Sequence, residues 1–378
     1  MEFVIDRNYF SKAILDLSFV ATSKSTFSTL ASIKITSDKS GLTLSGNDSE
    51  VLIEKFLPVD TNKNLLEIKR FGVVHVPFKH LYEIVKKLPD QISFKLRDNE
   101  IVTICSEDVT INLNALEEDV NSIKPDINSK NCISVPGKKL IEMIKQTVFA
   151  AASNESRPVL TGVNMVISKN KLVCVATNSH RLALKELEID SGLTHSLVVP
   201  NTSLKELIKL VNQETESIQI YFSDSYVMFS ATNIVLISKL IDGNYPEISS
   251  LIPKESNTVL TLNTKRFLKA VDRASLFAAK NKNNTFKLKI MDGSTLMISS
   301  NMQGMGKIEV IQSVNSISGN HKINLSLDGK FVLDAIKTIT TEEIRISLGD
   351  SMKPVLIEPV DKSTFIHLVS PVRTYEGE

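Results

Sequence analysis

The sequence predicts an α+β fold of three similar domains, each with two helices and about eight strands, packed as layers of sheet and helix. The first observation is a phrase that returns six times: a strand end, a short turn and an amphipathic helix. Its clearest copy spans residues 135–145, where Val-Pro is followed four positions later by Leu140, and Leu140 and Ile144 lie on the apolar face of the helix.

The same phrase sets a period for the whole chain. The pattern VPxxxL returns at residues 76–81 and 199–204, and looser copies place apolar anchors at Phe10, Phe267 and Val332. Consecutive anchors are 59 to 71 residues apart, and 378 residues contain six such intervals. A repeat in register over the full length indicates a chain built from duplicated strand–helix units.

The predicted elements follow from this period. Helices are predicted at 6–20, 78–88, 137–148, 202–211, 264–280 and 329–338. Alternating apolar and polar residues predict strands, among them 31–35, 41–45, 51–56, 91–96, 100–105, 109–114, 172–177 and 365–369. Two polar segments, 117–131 and 242–253, are predicted linkers. They divide the chain into domains at 1–125, 126–252 and 253–378.

The composition is typical of a soluble globular protein, with 42% apolar and 23% charged residues. The sequence contains no apolar run of about twenty residues, and the N-terminus does not resemble a signal peptide, so we expect a cytoplasmic protein without a membrane span. Three widely spaced cysteines, Cys105, Cys132 and Cys174, predict free thiols in a reducing compartment.

Charge is distributed unevenly although the net charge is only +1. The six predicted helices carry 17 Lys and Arg against 7 Asp and Glu, whereas the rest of the chain carries 27 against 36. Either the helices simply expose lysines to water, or all six present a basic face to a polyanion such as duplex DNA. The second interpretation predicts these DNA-facing residues: Lys12, Lys79, Lys86, Lys138, Lys139, Lys145, Lys205, Lys209, Lys265, Arg266, Lys269, Arg273, Lys330 and Lys337, with Lys24 in a loop.

No catalytic or metal-binding pattern is present in the sequence, which predicts no enzyme activity, no cofactor and no metal. The phosphate-loop, HExxH and paired CxxC motifs are absent, and the six histidines lack ligand spacing. Ser179 and His180 are adjacent, and neighbours in a strand or turn point in different directions, so a hydrolase based on them is a weak alternative.

Helix spacing suggests how many repeats are needed to surround DNA. Helices packed side by side are about 8–10 Å apart, so a circle of twelve has a lining roughly 35 Å across, while six give only about 17 Å. Only the larger circle admits hydrated duplex DNA. Six repeats per chain therefore suggest a ring of two chains.

Several sequence blocks together identify a family. The chain resembles the bacterial DNA polymerase III beta subunit, the sliding clamp, of the Gram-positive type. The resemblance covers the whole length and is carried by residues 146–152, 155–163, 176–183, 240–246, 272–276 and 371–373. One departure from the family pattern is Asn178, which stands where the family usually has Asp.

The resemblance implies a ring-shaped homodimer that encircles duplex DNA as a processivity factor and tethers the DNA polymerase. It implies a subunit interface that includes Ile111, Leu113, Leu276 and Phe277. It also implies a cleft that binds short linear motifs of the polymerase and the clamp loader, formed by Leu160, Thr177, Ser179, His180, Arg181, Leu182, Pro246, Leu251, Met352, Pro354, Leu368, Pro371, Val372 and Arg373. A specialised clamp paralogue, or a nucleic-acid-binding adaptor that does not form a ring, is the alternative.

Overall fold

Strands and helices follow one another in the order that the sequence predicts. The computed structural model describes residues 1–21, 32–60, 64–97, 100–116, 127, 131–154, 156–211, 215–278, 284–291, 294–302, 304–321, 323–350, 352–361 and 364–373. Within these residues the first third of the chain comprises β1 (Glu2–Asp6), α1 (Arg7–Leu15), α2 (Ser18–Ala21), β2 (Ser32–Ser37), β3 (Gly41–Asn47), β4 (Val51–Pro58), β5 (Leu66–Arg70), β6 (Gly72–Pro77), α3 (Phe78–Val85), β7 (Gln91–Leu96), β8 (Ile101–Ser106) and β9 (Val109–Asn114).

The middle and last thirds repeat this alternation. The middle third comprises β10 (Cys132–Pro136), α4 (Gly137–Thr147), β11 (Gly162–Ser168), β12 (Lys171–Thr177), β13 (Arg181–Glu188), β14 (His195–Pro200), α5 (Asn201–Leu210), β15 (Ser217–Phe222), β16 (Tyr226–Ala231) and β17 (Ile234–Lys239). The last third comprises β18 (Thr258–Asn263), α6 (Thr264–Ala278), β19 (Thr285–Ile290), β20 (Thr295–Met302), β21 (Gly306–Ser313), β22 (Ser316–Gly319), β23 (Asn324–Asp328), α7 (Gly329–Lys337), β24 (Glu343–Leu348), β25 (Val355–Pro359) and β26 (Phe365–Val369).

Each of the six repeated phrases forms a strand that runs directly into a helix, and the residue at the junction explains why the helix starts there. In three copies the strand ends on proline, at Pro77, Pro136 and Pro200, whose fixed φ and missing N–H suit a helix entry. In the other three an Asp or Asn oxygen accepts a hydrogen bond from the backbone N–H two or three residues later. Asp6 accepts from Tyr9 N at 2.8 Å; Asn263 and Asp328 do the same for α6 and α7.

The anchors of the repeat are all in the core. Phe10, Leu81, Leu140, Leu204, Phe267 and Val332 are each 0% exposed. Burying a side chain of this size stabilises a fold by about 1.5–3 kcal/mol. The repeat therefore marks equivalent core positions, and the sequence prediction of six strand–helix units is confirmed.

The chain forms two compact units. The first contains residues 1–140 and 206–240. Its two antiparallel sheets have the strand orders β5-β1-β7-β8-β9 and β10-β15-β16-β17-β4-β3-β2-β6. The eight-stranded sheet is continuous because β17 pairs with β4, so strands from the first and middle thirds share one sheet. Phe3 stacks on Phe94 at 4.7 Å between ring centroids in the core of this unit.

The second unit contains residues 141–205 and 241–378. Its sheets have the orders β14-β11-β12-β13-β26-β25-β24-β18-β22 and β21-β20-β19-β23. The nine-stranded sheet is continuous because β13 pairs with β26. Helices α6 and α7 contribute Phe267, Val271 and Val332 to a core that also takes residues from both sheets, such as Phe286 and Phe365.

The predicted helix at 6–20 is wrong in one respect. It is two helices, because α1 ends at Leu15 and α2 starts at Ser18. The turn between them buries Leu17 and places the Asp16 carboxylate 2.8 Å from Lys55 Nζ on β4. Segment 242–253 contains no helix or strand, as expected of a linker. Of the other predicted linker, 117–131, all residues except 127 and 131 lie outside the described residues.

Candidate functional site

The turn between β12 and β13 is held by side chains within it. Asn178 Oδ1 accepts hydrogen bonds from the backbone N–H groups of His180, at 3.1 Å, and Arg181, at 3.0 Å. Thr177 Oγ1 donates to the Arg181 carbonyl at 2.6 Å. Ser179 has a φ of 70°, a left-handed conformation that few residues other than glycine adopt. Because the turn uses only a carbonyl-type oxygen at position 178, Asn preserves the geometry that the family's Asp would give.

An apolar floor lies beside this turn on one face of the nine-stranded sheet. Leu182 on β13 pairs with Leu368 on β26, which in turn pairs with Leu356 on β25. These three residues and Val175 form a buried cluster, here called the floor cluster. Strand alternation accounts for it, since residues two apart on a strand share a face. Two predicted cleft residues, Leu182 and Leu368, are therefore brought into contact although 186 positions separate them.

The predicted linker packs against the floor cluster through Tyr245, Ile248 and Ile252. The Tyr245 hydroxyl accepts a hydrogen bond from Thr177 N at 3.0 Å. Burial raises the pKa of Tyr245, so the phenol stays protonated. Pro246 is half-buried and Leu251 is 47% exposed on the same segment. Sequence reasoning did not select Tyr245 as a site residue, although its place next to Pro246 was a usable signal.

The C-terminal segment forms the other side of the site. Ser370 N donates to the His180 carbonyl at 2.9 Å, and Val372 N donates to the Ser326 carbonyl on β23 at 2.8 Å. Pro371 and Val372 are half-buried and Arg373 is exposed. The chain entering β25 adds Met352, 48% exposed, and the half-buried Pro354. The turn and the C-terminal segment are thus hydrogen-bonded to each other where the β13–β26 pairing ends, next to the floor cluster.

Three predicted cleft residues lie outside the floor cluster. Ser179 and His180 are both exposed in the turn. Leu160 is buried in the single helical turn Pro158–Thr161, where its carbonyl accepts from Ala152 N at 2.8 Å, and it is outside the floor cluster.

Arg181 faces away from the floor. It alternates with Leu182 along β13, and its side chain is only 10% exposed. Its Nη1 lies 2.7 Å from Asp334 Oδ2 on α7, and its Nη2 donates to the Phe149 carbonyl. The guanidinium also lies over the Phe331 ring, 4.5 Å from its centroid. Arg181 therefore links the turn to α7.

His367 occupies the same side of the sheet and was not predicted as a site residue. It is 1% exposed, its Nε2 is 3.2 Å from Thr338 Oγ1 beyond the end of α7, and its ring packs edge-on against Phe365. Burial, and then the neighbouring positive charge of Arg181, lower the pKa of His367 to about 3. The imidazole is therefore neutral at physiological pH.

The predicted DNA-facing cations share one property. Each of the fourteen that the structure describes is exposed; Lys24 lies outside the described residues. Lys209 also forms an ion pair with the buried Glu206, 2.8 Å away. Arg266, Lys269 and Arg273 line one side of a groove of about 360 Å³ whose other side is β21. These three cations therefore lie on the part of α6 that faces an outer strand.

The four predicted interface residues occupy outer elements. Ile111 and Leu113 are half-buried on β9, the outer strand of the five-stranded sheet. In the second unit Leu276 is 65% exposed and Phe277 half-buried near the end of α6. Ile311, 69% exposed on the outer strand β21, is a further exposed apolar residue that the sequence analysis missed.

No cluster of His, Cys, Asp or Glu suited to a metal ion occurs in the part of the chain that the structure describes. Among the described helices, none is both long and apolar enough to cross a membrane. Burial raises the pKa of the Cys174 thiol to about 12, which makes it unreactive, and Cys105 and Cys132 are also free.

Comparison with known proteins identifies the family. Models of the N-terminal, central and C-terminal domains of the DNA polymerase III beta subunit match residues 1–124, 134–247 and 249–373. The beta sliding clamp of Bacillus subtilis is 36% identical over 379 residues, which cover 99% of this chain and 100% of that protein. The crystal structure of the DNA polymerase sliding clamp from Bacillus subtilis aligns over 99% of this chain and 100% of its own, with a TM-score of 0.94.

A second solved structure has the same fold as this chain. The DNA polymerase III beta chain from Streptococcus pneumoniae is 29% identical and aligns with a TM-score of 0.93 over 99% of this chain and 100% of its own. The matches extend over the repeats, both linkers and the segments around the floor cluster. The chain belongs to the DNA polymerase III beta subunit family, the bacterial beta sliding clamps.

Proposed function

We propose that this processivity factor of DNA replication works as a ring-shaped homodimer that encircles duplex DNA, slides on it without sequence preference, and tethers the DNA polymerase through a peptide-binding cleft. The observation that carries the proposal is the sixfold strand–helix repeat in which every anchor is buried while the described candidate cations are exposed. Such an arrangement gives each helix an apolar side for the fold and a charged side for a polyanion.

We propose domains at 1–125, 126–252 and 253–378. The ranges matched by the three family models support boundaries close to these. The two compact units divide the chain differently because β17 pairs with β4 and β13 pairs with β26. Through these pairings neighbouring domains share continuous sheets. The boundary between the two compact units therefore falls within the middle domain and not between domains.

The proposed contact with DNA is electrostatic. Lysine and arginine side chains on helices can reach phosphates without reading bases, which gives affinity without sequence preference. Because bound counterions are released, this affinity falls steeply as salt rises. Not every cation faces DNA in this proposal, and the position of Arg266, Lys269 and Arg273 beside β21 favours a place near the subunit boundary for these three.

The proposed dimer joins the first domain of one chain to the third domain of its partner. Outer strands β9 and β21 each present one row of backbone N–H and C=O groups, and such rows favour pairing with another chain. Both strands carry apolar residues, Ile111 and Leu113 on β9 and Ile311 on β21. Leu276 lies on the adjacent helix α6. Their burial would supply the apolar core of an interface.

The proposed partners of the cleft are short linear motifs of the polymerase and the clamp loader. The floor cluster is the buried apolar base of the proposed cleft, the exposed Leu251 and Met352 offer apolar contacts at its margin, and the 177–181 turn supplies polar groups. This combination suits an extended peptide that buries Leu or Phe side chains. We propose no catalytic step for any residue, and we place the protein in the cytoplasm, where replication takes place.

Mass in solution tests the assembly. The proposed ring requires a species of about twice 41.9 kDa by light scattering at low micromolar concentration. A species of 41.9 kDa that still binds DNA would instead favour an adaptor that does not form a ring.

A further inference from the structure

The 177–181 turn and the C-terminal segment have a common support, which is helix α7 with the strand that precedes it. Asp334 on α7 forms the ion pair with Arg181, the last residue of the turn. The Ser326 carbonyl on β23 accepts from Val372 N in the C-terminal segment. Since β23 leads directly into α7, both sides of the site are fixed to a single strand–helix unit.

Helix α7 lies on the opposite face of the nine-stranded sheet from the floor. His367 and Leu368 are consecutive on β26, so their side chains point to opposite faces. His367 contacts Thr338 at the end of α7, whereas Leu368 belongs to the floor cluster. On β13 the side chain of Arg181 likewise points to the α7 face and that of Leu182 to the floor face. A peptide lying on the floor is therefore separated from the Arg181 guanidinium by the sheet.

The surroundings of Arg181 fix its guanidinium in one place. Nη1 contacts Asp334 and Nη2 donates to the Phe149 carbonyl, and the guanidinium carbon lies 5.3 and 4.5 Å from the ring centroids of Phe149 and Phe331. A planar guanidinium held by a carboxylate, a carbonyl and aromatic faces has little freedom to reach another ligand. The Arg181 backbone, by contrast, accepts from Thr177 Oγ1 and donates to Asn178 Oδ1 within the turn.

We propose that Arg181 and Asp334 form a positioning pair for the cleft: the pair fixes the 177–181 turn and, through the hydrogen bond that Ser370 N donates to the His180 carbonyl, the C-terminal segment, without itself touching the peptide. This inference rests on the proposed peptide-binding function. It assigns to Asp334, on the far side of the sheet, a role in peptide affinity, and it assigns to Arg181 a role other than hydrogen bonding to the peptide.

The test is a double-mutant cycle of peptide affinity in the full-length protein. The probe is a short fluorescein-labelled peptide with Leu and Phe side chains on an extended backbone, measured by anisotropy. We expect Asp334→Asn to weaken binding by about tenfold or more, because one partner of a partly buried charge pair is lost. Asp272→Asn on α6 makes the same charge change at an exposed residue and should leave affinity unchanged.

The cycle separates positioning from contact. If the pair acts as a unit, Arg181→Gln weakens binding strongly in the wild-type background and little in the Asp334→Asn background. An equal loss in both backgrounds would mean that Arg181 touches the peptide directly and would overturn the proposal. Unchanged affinity in a folded Asp334→Asn variant would overturn it as well.

A second variant and the binding of the wild-type protein complete the test. Should Asp334→Asn not fold, Phe331→Leu removes the aromatic face under the guanidinium without changing charge; weaker binding supports the proposal and unchanged binding refutes it. Failure of the wild-type protein to bind the probe would count against the proposed peptide function itself, which is a different result from a wild type that binds and variants that bind equally well.

Discussion

Replacing Met352 and Leu251 by alanine tests the margin of the proposed cleft without disturbing the core. The two side chains are 48% and 47% exposed, so about half of each is open to a ligand. Full burial of such a side chain yields about 1.5–3 kcal/mol, and covering the open half therefore yields about 0.7–1.5 kcal/mol for each residue. The double variant should lose roughly tenfold to a hundredfold in peptide affinity.

Stability serves as the internal control for this variant. Substitutions at exposed positions usually change the free energy of unfolding by less than about 0.5 kcal/mol, so the melting temperature should stay near that of the wild type. Met291→Ala, at a methionine that is 53% exposed outside the predicted cleft, is the matched control. Fluorescence anisotropy with a labelled Leu- and Phe-containing peptide measures the effect. The reasoning is refuted if the double variant binds as tightly as wild type, or if Met291→Ala loses as much.

Three other perturbations test separate parts of the account. Deletion of residues 370–378 should abolish peptide binding in a titration yet leave a dimer with a cooperative melt, because β26 ends at Val369 and its core residues remain; an unfolded third domain would show that the segment is structural. Replacing Leu276 and Phe277 by alanine should give monomers by light scattering at low micromolar concentration, and a full dimer would remove these residues from the interface. For His367, whose pKa falls from 6.5 to about 3 on folding, the neutral ring contributes stability above pH 6.5 that is lost as pH falls toward 3. His367→Asn should reduce the slope of unfolding free energy in this range by about 1.4 kcal/mol per pH unit, measured by urea titrations, and an unchanged slope would mean that another group is responsible.

Most of what the sequence predicts about the fold comes from the repeated strand–helix phrase. Its six anchors are determined by local pattern, because an apolar residue one turn into an amphipathic helix has to face the core. Strands β7 and β9 have the predicted bounds because their apolar and polar residues alternate without interruption, whereas β26, which also has the predicted bounds, is a mostly apolar run. The break between α1 and α2 was not predicted; it lies where Leu17 is buried and Asp16 pairs with Lys55, which is far away in sequence.

Less of the candidate site than of the fold could be predicted from the sequence. Resemblance supplied the residues, but not which way each side chain points or what it contacts. That Arg181 and Leu182 face opposite sides follows from strand alternation alone. The partner of Arg181 does not, because Asp334 is 153 positions away and only the assembled sheet and helix bring the two together. The same holds for Tyr245 and Thr177, and for His367 and Thr338.

Retention on circular DNA tests the central proposal most directly. The protein is loaded onto nicked circular duplex DNA, free protein is removed by gel filtration, and the DNA is then cut once with a restriction enzyme. A closed ring has no way off a circle but slides off a free end, so the account predicts stable retention before cutting and rapid release afterwards at the same ionic strength. Equal retention on circular and linear DNA would contradict encirclement and favour ordinary electrostatic binding to the DNA surface.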